Sequence, residues 1–231
     1  MAEPRTPNTQ HRQFDVVIAG ASFAGLAAAQ RVRGHVALID KDPIGEGVTS
    51  ACGAPVSIVR AMGAEASIQQ LHEHLVIHTE RSRAVWPLPE PFCTFDYKSF
   101  CRLAFARANA EFLRVTVLGR EGSIVRTSAG DLKGRFLVDA TGWRAILAGG
   151  PASPYVNRRW MAFGIETEIE REFEPGLHFY FLPEIRDGYA WAFPCDGGVR
   201  FGVLSYLGRS NLRHALDKFV DRFGVGAGKV H

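Results

Sequence analysis

"VVIAGASFAGLAAA", Val16 to Ala29, decides the fold of this 231-residue chain. Val16 to Ala19 is a short apolar run, the composition of a buried parallel strand. Gly20 to Gly25 makes a tight turn, and Leu26 to Arg31 carries helix-forming residues. A strand that turns directly into a helix aims free backbone N–H groups and the positive dipole end at one spot, where they attract a phosphate. Gly20 suits the sharp turn, and Gly25 lets the helix lie close on the strand. The spacing is G-x-S-x-x-G, with Ser22 at the usual middle glycine. Its side chain is small enough to let a phosphate approach. Gly20, Ser22, Phe23, Ala24 and Gly25 are the candidate contacts of this turn.

A second strand follows in "HVALID", His35 to Asp40, and ends in an acid twenty residues after Gly20. A carboxylate at that place accepts hydrogen bonds from the ribose hydroxyls of an adenosine. Asp40, with Lys41 beside it, therefore joins the candidate contacts. A carboxylate also disfavours a 2′-phosphate, so NADP is disfavoured and FAD and NAD remain. Strand, turn, helix, strand and terminal acid in this order predict a dinucleotide-binding βαβ unit.

Composition sets the frame. An apolar content of 46% and a charged content of 22% are ordinary for a chain with a sizeable core, in one large domain or two small ones. A net charge of +3 with scattered arginines gives no footprint for nucleic acid. Arg81-Ser82-Arg83 and Arg158-Arg159 read as solvated surface. No apolar stretch approaches the roughly 18 residues that span a bilayer. The opening "MAEPRTPNTQHRQ" lacks the apolar core of a signal peptide and reads as a disordered lead-in over residues 1–13. Cys52, Cys93, Cys101 and Cys195 form no C-x-x-C pair, which predicts reduced thiols in a cytoplasmic protein. His72, His74 and His78 lack cysteine or carboxylate partners at a metal-site spacing and read as a solvated face.

Further along, "GRFLVDATGWRA" (Gly134 to Ala145) reads as a buried strand over Phe136 to Val138 with a sharp exit at Asp139-Ala140-Thr141-Gly142. In a doubly wound sheet such strand ends line the nucleotide crevice. The preceding "SIVRTSAGDLKG" predicts a hairpin that turns at Gly130. The order of these segments resembles the two-dinucleotide-fold flavoproteins, especially the group of para-hydroxybenzoate hydroxylase and the geranylgeranyl reductases. That resemblance implies FAD as the cofactor, with Asp139, Thr141 and Gly142 among its contacts.

Three more segments carry the resemblance. "TSACGAP" (Thr49 to Pro55) looks like the cysteine–glycine loop that geranylgeranyl reductases place against the flavin, which implies Cys52 and Gly53. "FDYKSFCRLAFARA" (Phe95 to Ala108) reads as a helix start capped by Asp96, with Phe100, Leu103 and Ala104 at helical spacing. The family has a basic residue near the FAD just before a phenylalanine here; Lys98 is the match, where arginine is commoner. In "GYAWAFPCDGGVRFGV" (Gly188 to Val203), Tyr189, Trp191 and Phe193 alternate with alanines, so one strand face is aromatic and the other flat. Asp196-Gly197-Gly198 turns the chain back. This is similar to the Y-x-W-x-F-P…N-x-G motif of the geranylgeranyl reductase and FixC-like group, where the hairpin forms a substrate wall. Arg200 stands near the usual asparagine.

The expected fold is α/β: a Rossmann-like FAD-binding domain over 14–62 and 95–148 with an inserted, mixed β-sheet substrate domain over 63–94 and 149–231. The resemblance runs from about Phe14 to Leu207. The family's third motif, a Gly-Asp pair before a late helix, has no match in the closing "VGAGKVH". The expectation is therefore a C-terminally incomplete FAD domain and weak FAD binding by this chain alone. The resemblance implies hydride delivery from reduced flavin to a carbon–carbon double bond of an apolar, isoprenoid-like substrate. It also implies an electron donor, NAD(P)H or a ferredoxin-like protein, and at most peripheral contact with the inner membrane face. The rivals are an aromatic monooxygenase, which shares the first two motifs, and a non-catalytic fragment.

Overall fold

The structure is a computed structural model that describes residues 11–48, 50–150, 153–185, 187–207, 211–228 and 230. Most of the expected lead-in lies outside these residues. The chain divides into two compact units, residues up to Glu46 with Ala104–Val156, and Gly47–Leu103 with residues from Asn157 onward.

In the first unit, β1 (Arg12–Ala19) runs parallel to β2 (Val36–Asp40), and α1 (Phe23–Arg31) crosses between them. Strand β2 pairs in parallel with β6 (Glu111–Arg114), and β1 with β9 (Leu132–Asp139). Beyond β9, β8 (Ile124–Thr127) and β7 (Val117–Glu121) continue antiparallel, giving the order β6-β2-β1-β9-β8-β7. Val16–Ala19 of β1 and Val36–Ile39 of β2 are buried at the sheet centre, which is why they read as continuous apolar runs. Strand β1 begins at Arg12, inside the expected lead-in. Arg12 pairs in register with Leu132, and its guanidinium meets Glu111 at 2.6 Å. The hairpin at Gly130 is present, with that glycine at φ +109°. Phe136 departs from expectation: it is 58% exposed, with the Arg135 guanidinium over its ring. Helix α1 packs on β1 and β2.

The second unit is one mixed sheet, ordered β10-β13-β12-β11-β4-β5-β3. Its strands are β3 (Gly53–Pro55), β4 (Ile68–His78), β5 (Arg83–Phe95), β10 (Phe163–Glu170), β11 (Leu177–Tyr180), β12 (Gly188–Cys195) and β13 (Gly198–Ser205). Only the β4–β11 pairing is parallel among the described residues. Helix α2 (Val56–Ala61) follows β3, and α3 (Tyr97–Ala106) begins where Asp96 Oδ1 accepts from Ser99 N at 2.7 Å, the expected cap. Gly53–Pro55 and Phe95, read from sequence with the nucleotide-binding part, belong to this second sheet, because the Gly53 backbone pairs with Thr94.

Helix α4 (Leu212–Asp221) covers one face of β12 and β13. Ala190, Ala192, Phe201 and Val203 pack there on Leu216, Phe219 and Val220. The small alanines leave room for the rings of Phe201 and Phe219, whose centroids lie 5.9 Å apart. Each fully buried ring contributes about 1.5–3 kcal/mol. The opposite face carries Tyr189, Trp191 and Phe193, as the alternation predicts.

Of the β4 histidines, His74 is exposed as expected, but His72 is buried and His78 half-buried. His72 is 1% exposed, with Nε2 on Thr94 Oγ1 at 3.3 Å, and burial pushes its pKa down to about 4. His78 Nε2 lies 3.0 Å from Nδ1 of His178.

The turn after β1 tolerates no added atoms. A Cβ on Gly25 would stand 1.8 Å from the Gly20 carbonyl oxygen, whereas one on Gly226 meets nothing within 4 Å. Gly25→Ala should lower stability by about 2 kcal/mol or more in urea unfolding, and Gly226→Ala should leave it within about 0.5 kcal/mol. Equal effects would contradict the close packing of α1 on the turn.

Candidate functional site

Three segments meet at the C-terminal edge of β2, β1 and β9. Gly20, at φ +102°, leaves β1 so close to the exit from β9 that a Cβ would lie 2.2 Å from the Ala140 oxygen. Ser22 is the N-cap residue of α1, its carbonyl accepting from Leu26 N at 2.9 Å. Phe23 is half-buried and Ala24 exposed, so the first turn opens outward. That turn carries no acid, which leaves the positive helix end uncompensated by its own side chains.

Asp40 ties the second strand to this turn. Its Oδ2 accepts from Ala21 N at 2.8 Å and its Oδ1 from Asp42 N at 3.0 Å. Each oxygen keeps a further lone pair, because a carboxylate has about four acceptor positions. Lys41 is a surface residue paired with Asp42 at 3.0 Å. The glycine turn and Asp40 thus come together as the sequence predicted.

The D-A-T-G exit is organised from within. Asp139 Oδ1 accepts from Thr141 N at 3.0 Å and from Thr141 Oγ1 at 2.6 Å, while Oδ2 accepts from Ala148 N at 2.8 Å. Thr141 Oγ1 in turn accepts from Ile146 N at 2.9 Å. These side chains shape the loop; Gly142, at φ +64°, starts a short 3-10 turn.

In the second unit, Gly53 brings the cysteine–glycine loop onto the aromatic face. A Cβ there would stand 3.6 Å from the Phe193 ring, and Ala51 packs against the same cluster. Thr49 of this loop lies outside the described residues. Cys52 is buried at φ +51°, its Sγ donating to Ser50 O at 3.2 Å. Burial pushes its thiol up to about 12, so it is neutral and unreactive at physiological pH. Lys98 is exposed near the start of α3.

Tyr189 is half-buried, and Trp191 and Phe193 are buried in a ring-to-ring series with Phe179. Sequence reading missed what stands beside them. Glu166 on β10 and Arg200 on β13 are both buried on this face. Arg200 donates to Glu168, to the Phe95 carbonyl and to Gln69 at 3.0, 3.1 and 2.7 Å. The signal was present in the alternation of "FGIETEIE", where Glu166 and Glu168 share the parity opposite to Ile165 and Ile169. Among the described residues, no three His, Cys, Asp or Glu side chains come together as a metal site, and no helix is long and apolar enough to cross a membrane.

No protein-family model and no curated protein matches the chain in sequence. Solved structures do match in fold. A geranylgeranyl bacteriochlorophyll reductase-like protein from Thermoplasma acidophilum superposes with a TM-score of 0.81 at 18% identity, over 95% of this chain and 65% of that one. The flavin-dependent brominase Bmp2 gives 0.74 at 17%, over 95% and 66%. The myxobacterial chondrochloren halogenase CndH, described as a variant FAD-dependent halogenase, gives 0.71 at 15%, over 95% and 63%. The chain spans just under two thirds of the length of these neighbours.

Buried neutral thiols have a chemical consequence. All four cysteines are free and buried, and burial raises each, three of them to about 11 and Cys52 to about 12. At pH 8 an aromatic disulfide reagent should label the native chain at least about tenfold more slowly than the urea-unfolded chain, because unfolding restores thiolate and access. Rapid labelling of one native thiol would contradict the packing of the Cys52 loop. By these superpositions the chain shares its fold with the geranylgeranyl bacteriochlorophyll reductase-like protein, the flavin-dependent brominase and the FAD-dependent halogenase.

Proposed function

We propose that the chain is a FAD-dependent oxidoreductase that reduces carbon–carbon double bonds of an apolar, isoprenoid-like substrate. The observation that carries this reading is the wide aromatic face of Tyr189, Trp191 and Phe193, in a fold shared with a reductase-like protein. Trp191 and Phe193 are themselves buried, so a hydrocarbon would meet this cluster through the half-buried rings of Tyr189 and Phe179, burying apolar area at about 25 cal/mol per Å².

The first unit would hold the nucleotide end of the cofactor. Backbone N–H groups at Ser22 to Gly25 suit its pyrophosphate, and the free lone pairs of Asp40 suit its ribose hydroxyls. Asp139 and Thr141 would act by shaping the loop at Gly142, since their polar atoms are taken within it. Cys52 and Gly53 would serve as packing against the aromatic face, and Lys98 would contribute charge from the surface. FAD, once reduced by NAD(P)H or a ferredoxin-like donor, supplies the hydride. The protein's own work is to orient the double bond and exclude water.

A second reading, flavin-dependent halogenation or hydroxylation, is favoured by the fold shared with the brominase and the chondrochloren halogenase. Oxygen separates the two. With pre-reduced flavin under anaerobic conditions, a polyprenyl substrate should reoxidise the flavin and gain two hydrogens. Turnover that requires oxygen would favour the second reading and overturn the first.

The cofactor assignment has its own test. Asp40→Ala removes a carboxylate whose charge-assisted hydrogen bonds are worth about 1.5–3 kcal/mol each. FAD affinity should fall about tenfold or more under conditions where circular dichroism shows both proteins folded. Unchanged affinity would remove Asp40 from the site.

A further inference from the structure

Strands β4 and β11 run parallel, with Tyr180 opposite His78 and His178 opposite Val76. His78 and His178 therefore share one face of the sheet, and Nε2 of His78 meets Nδ1 of His178 at 3.0 Å. At its other end, His178 Nε2 lies 3.1 Å from the Glu174 carbonyl oxygen. A carbonyl only accepts, so Nε2 carries the hydrogen and Nδ1 of neutral His178 is bare. His78 Nε2 must then supply the hydrogen that lies between the rings. One backbone oxygen thus fixes both tautomers.

Aromatic packing encloses the pair. Tyr180 stacks on His78 at 4.2 Å with planes 6° apart, and Phe173 meets His178 edge-on at 5.1 Å. His178 is 1% exposed and His78 half-buried. The groups whose charge reaches the rings are Arg83 on β5 and Glu174 before β11, ion-paired with each other, and His72 along β4. Tyr180, pushed up to about 12 by burial, is neutral. Helix α4 presents the ring of Phe219 to Tyr180, and Phe223 follows just past it. Burial, above all, holds both imidazoles below the ordinary histidine value of 6.5, with Arg83 pushing the same way and Glu174 opposing.

We propose that His78 and His178 form an acid-released clasp that holds β11 on β4. In the neutral state one N–H···N bond ties the two strands at the last of their four paired positions. A first added proton can be shared. It enters at Nδ1 of His178 while the hydrogen of His78 moves from Nε2 to Nδ1, and the bond reverses direction. A second proton leaves N–H groups on both facing nitrogens and two like charges beside Arg83, so the bond is lost. Both rings take protons less readily here than in the unfolded chain. The clasp is therefore complete above pH 6.5 and weakens as the pH falls below it. What opens is the β4–β11 pairing, which divides β3, β5 and β4 from β11, β12, β13 and β10. The device lies within the second unit and is independent of the reaction assigned above.

The test uses the ¹⁵N-labelled chain. Long-range ring ¹⁵N spectra, assigned by the signals lost in His78→Phe and His178→Phe, should show hydrogen on Nε2 of both rings at about pH 8. Amide exchange, corrected for its intrinsic rate, should be compared between about pH 7.5 and about pH 5. Protection at Leu75–His78 and Leu177–Tyr180 should fall at least about tenfold more than at Val199–Val203 in the same sheet. In the double variant His78→Phe/His178→Phe that difference should shrink to about threefold or less. His74→Gln, at the exposed histidine of the same strand, should respond as the wild type does. Hydrogen on Nδ1 of neutral His178 overturns the proposal. So does loss of protection that is equal across the sheet, which is ordinary acid unfolding, or a double variant with the wild-type response. Should the double variant not fold, His78→Gln keeps a donor for His178 without a titrating ring. It should also bring the difference to about threefold or less, and an unaltered response overturns the clasp.

Discussion

At Gly20 the backbone leaving β1 comes so near Ala140 that a Cβ would stand 2.2 Å from its carbonyl oxygen, and Gly25 then closes on Gly20 itself. The first unit depends on this approach. It lets α1 start immediately after the strand, lays that helix flat on the sheet, and sets the helix N-terminus beside the exit from β9. Asp40 completes the arrangement by accepting from Ala21 N, which fastens β2 to the same turn. Any attraction for a phosphate would follow from this packing, which gathers the first-turn N–H groups of α1 at one place.

A second glycine does comparable work in the other sheet. Without a side chain at Gly202, the Trp191 ring can cross one whole strand and reach Glu166 on the next. The row makes a face that is apolar over most of its width yet holds an ionisable group at its edge. Arg200, on this same face, is tied to the Phe95 carbonyl by a buried hydrogen bond and to Gln69 by a partly buried one.

Much of this was legible in the sequence. The Val16–Ala29 pattern, the acid at Asp40, the turn at Gly130 and the alternation of Tyr189, Trp191 and Phe193 each depend on local rules, and the structure follows them. Reading failed where long-range pairing decides. His72 is buried with Nε2 on Thr94 of β5, a partner that spacing along one strand cannot show. Phe136 is exposed, with the Arg135 guanidinium over its ring, although it reads as a buried strand residue. Glu166 escaped notice for the same reason. Its importance comes from register with Gly202 and, through it, with Trp191, residues 36 and 25 positions away.

The account stands most directly on the glycine turn as the seat of a flavin nucleotide. A residue-resolved amide chemical-shift titration of the chain with FAD measures this without any turnover. The account predicts saturable shifts concentrated at Ala21 to Gly25 and at Asp40 and Lys41. Those amides remaining still at saturating FAD, or shifts gathered elsewhere, would contradict it.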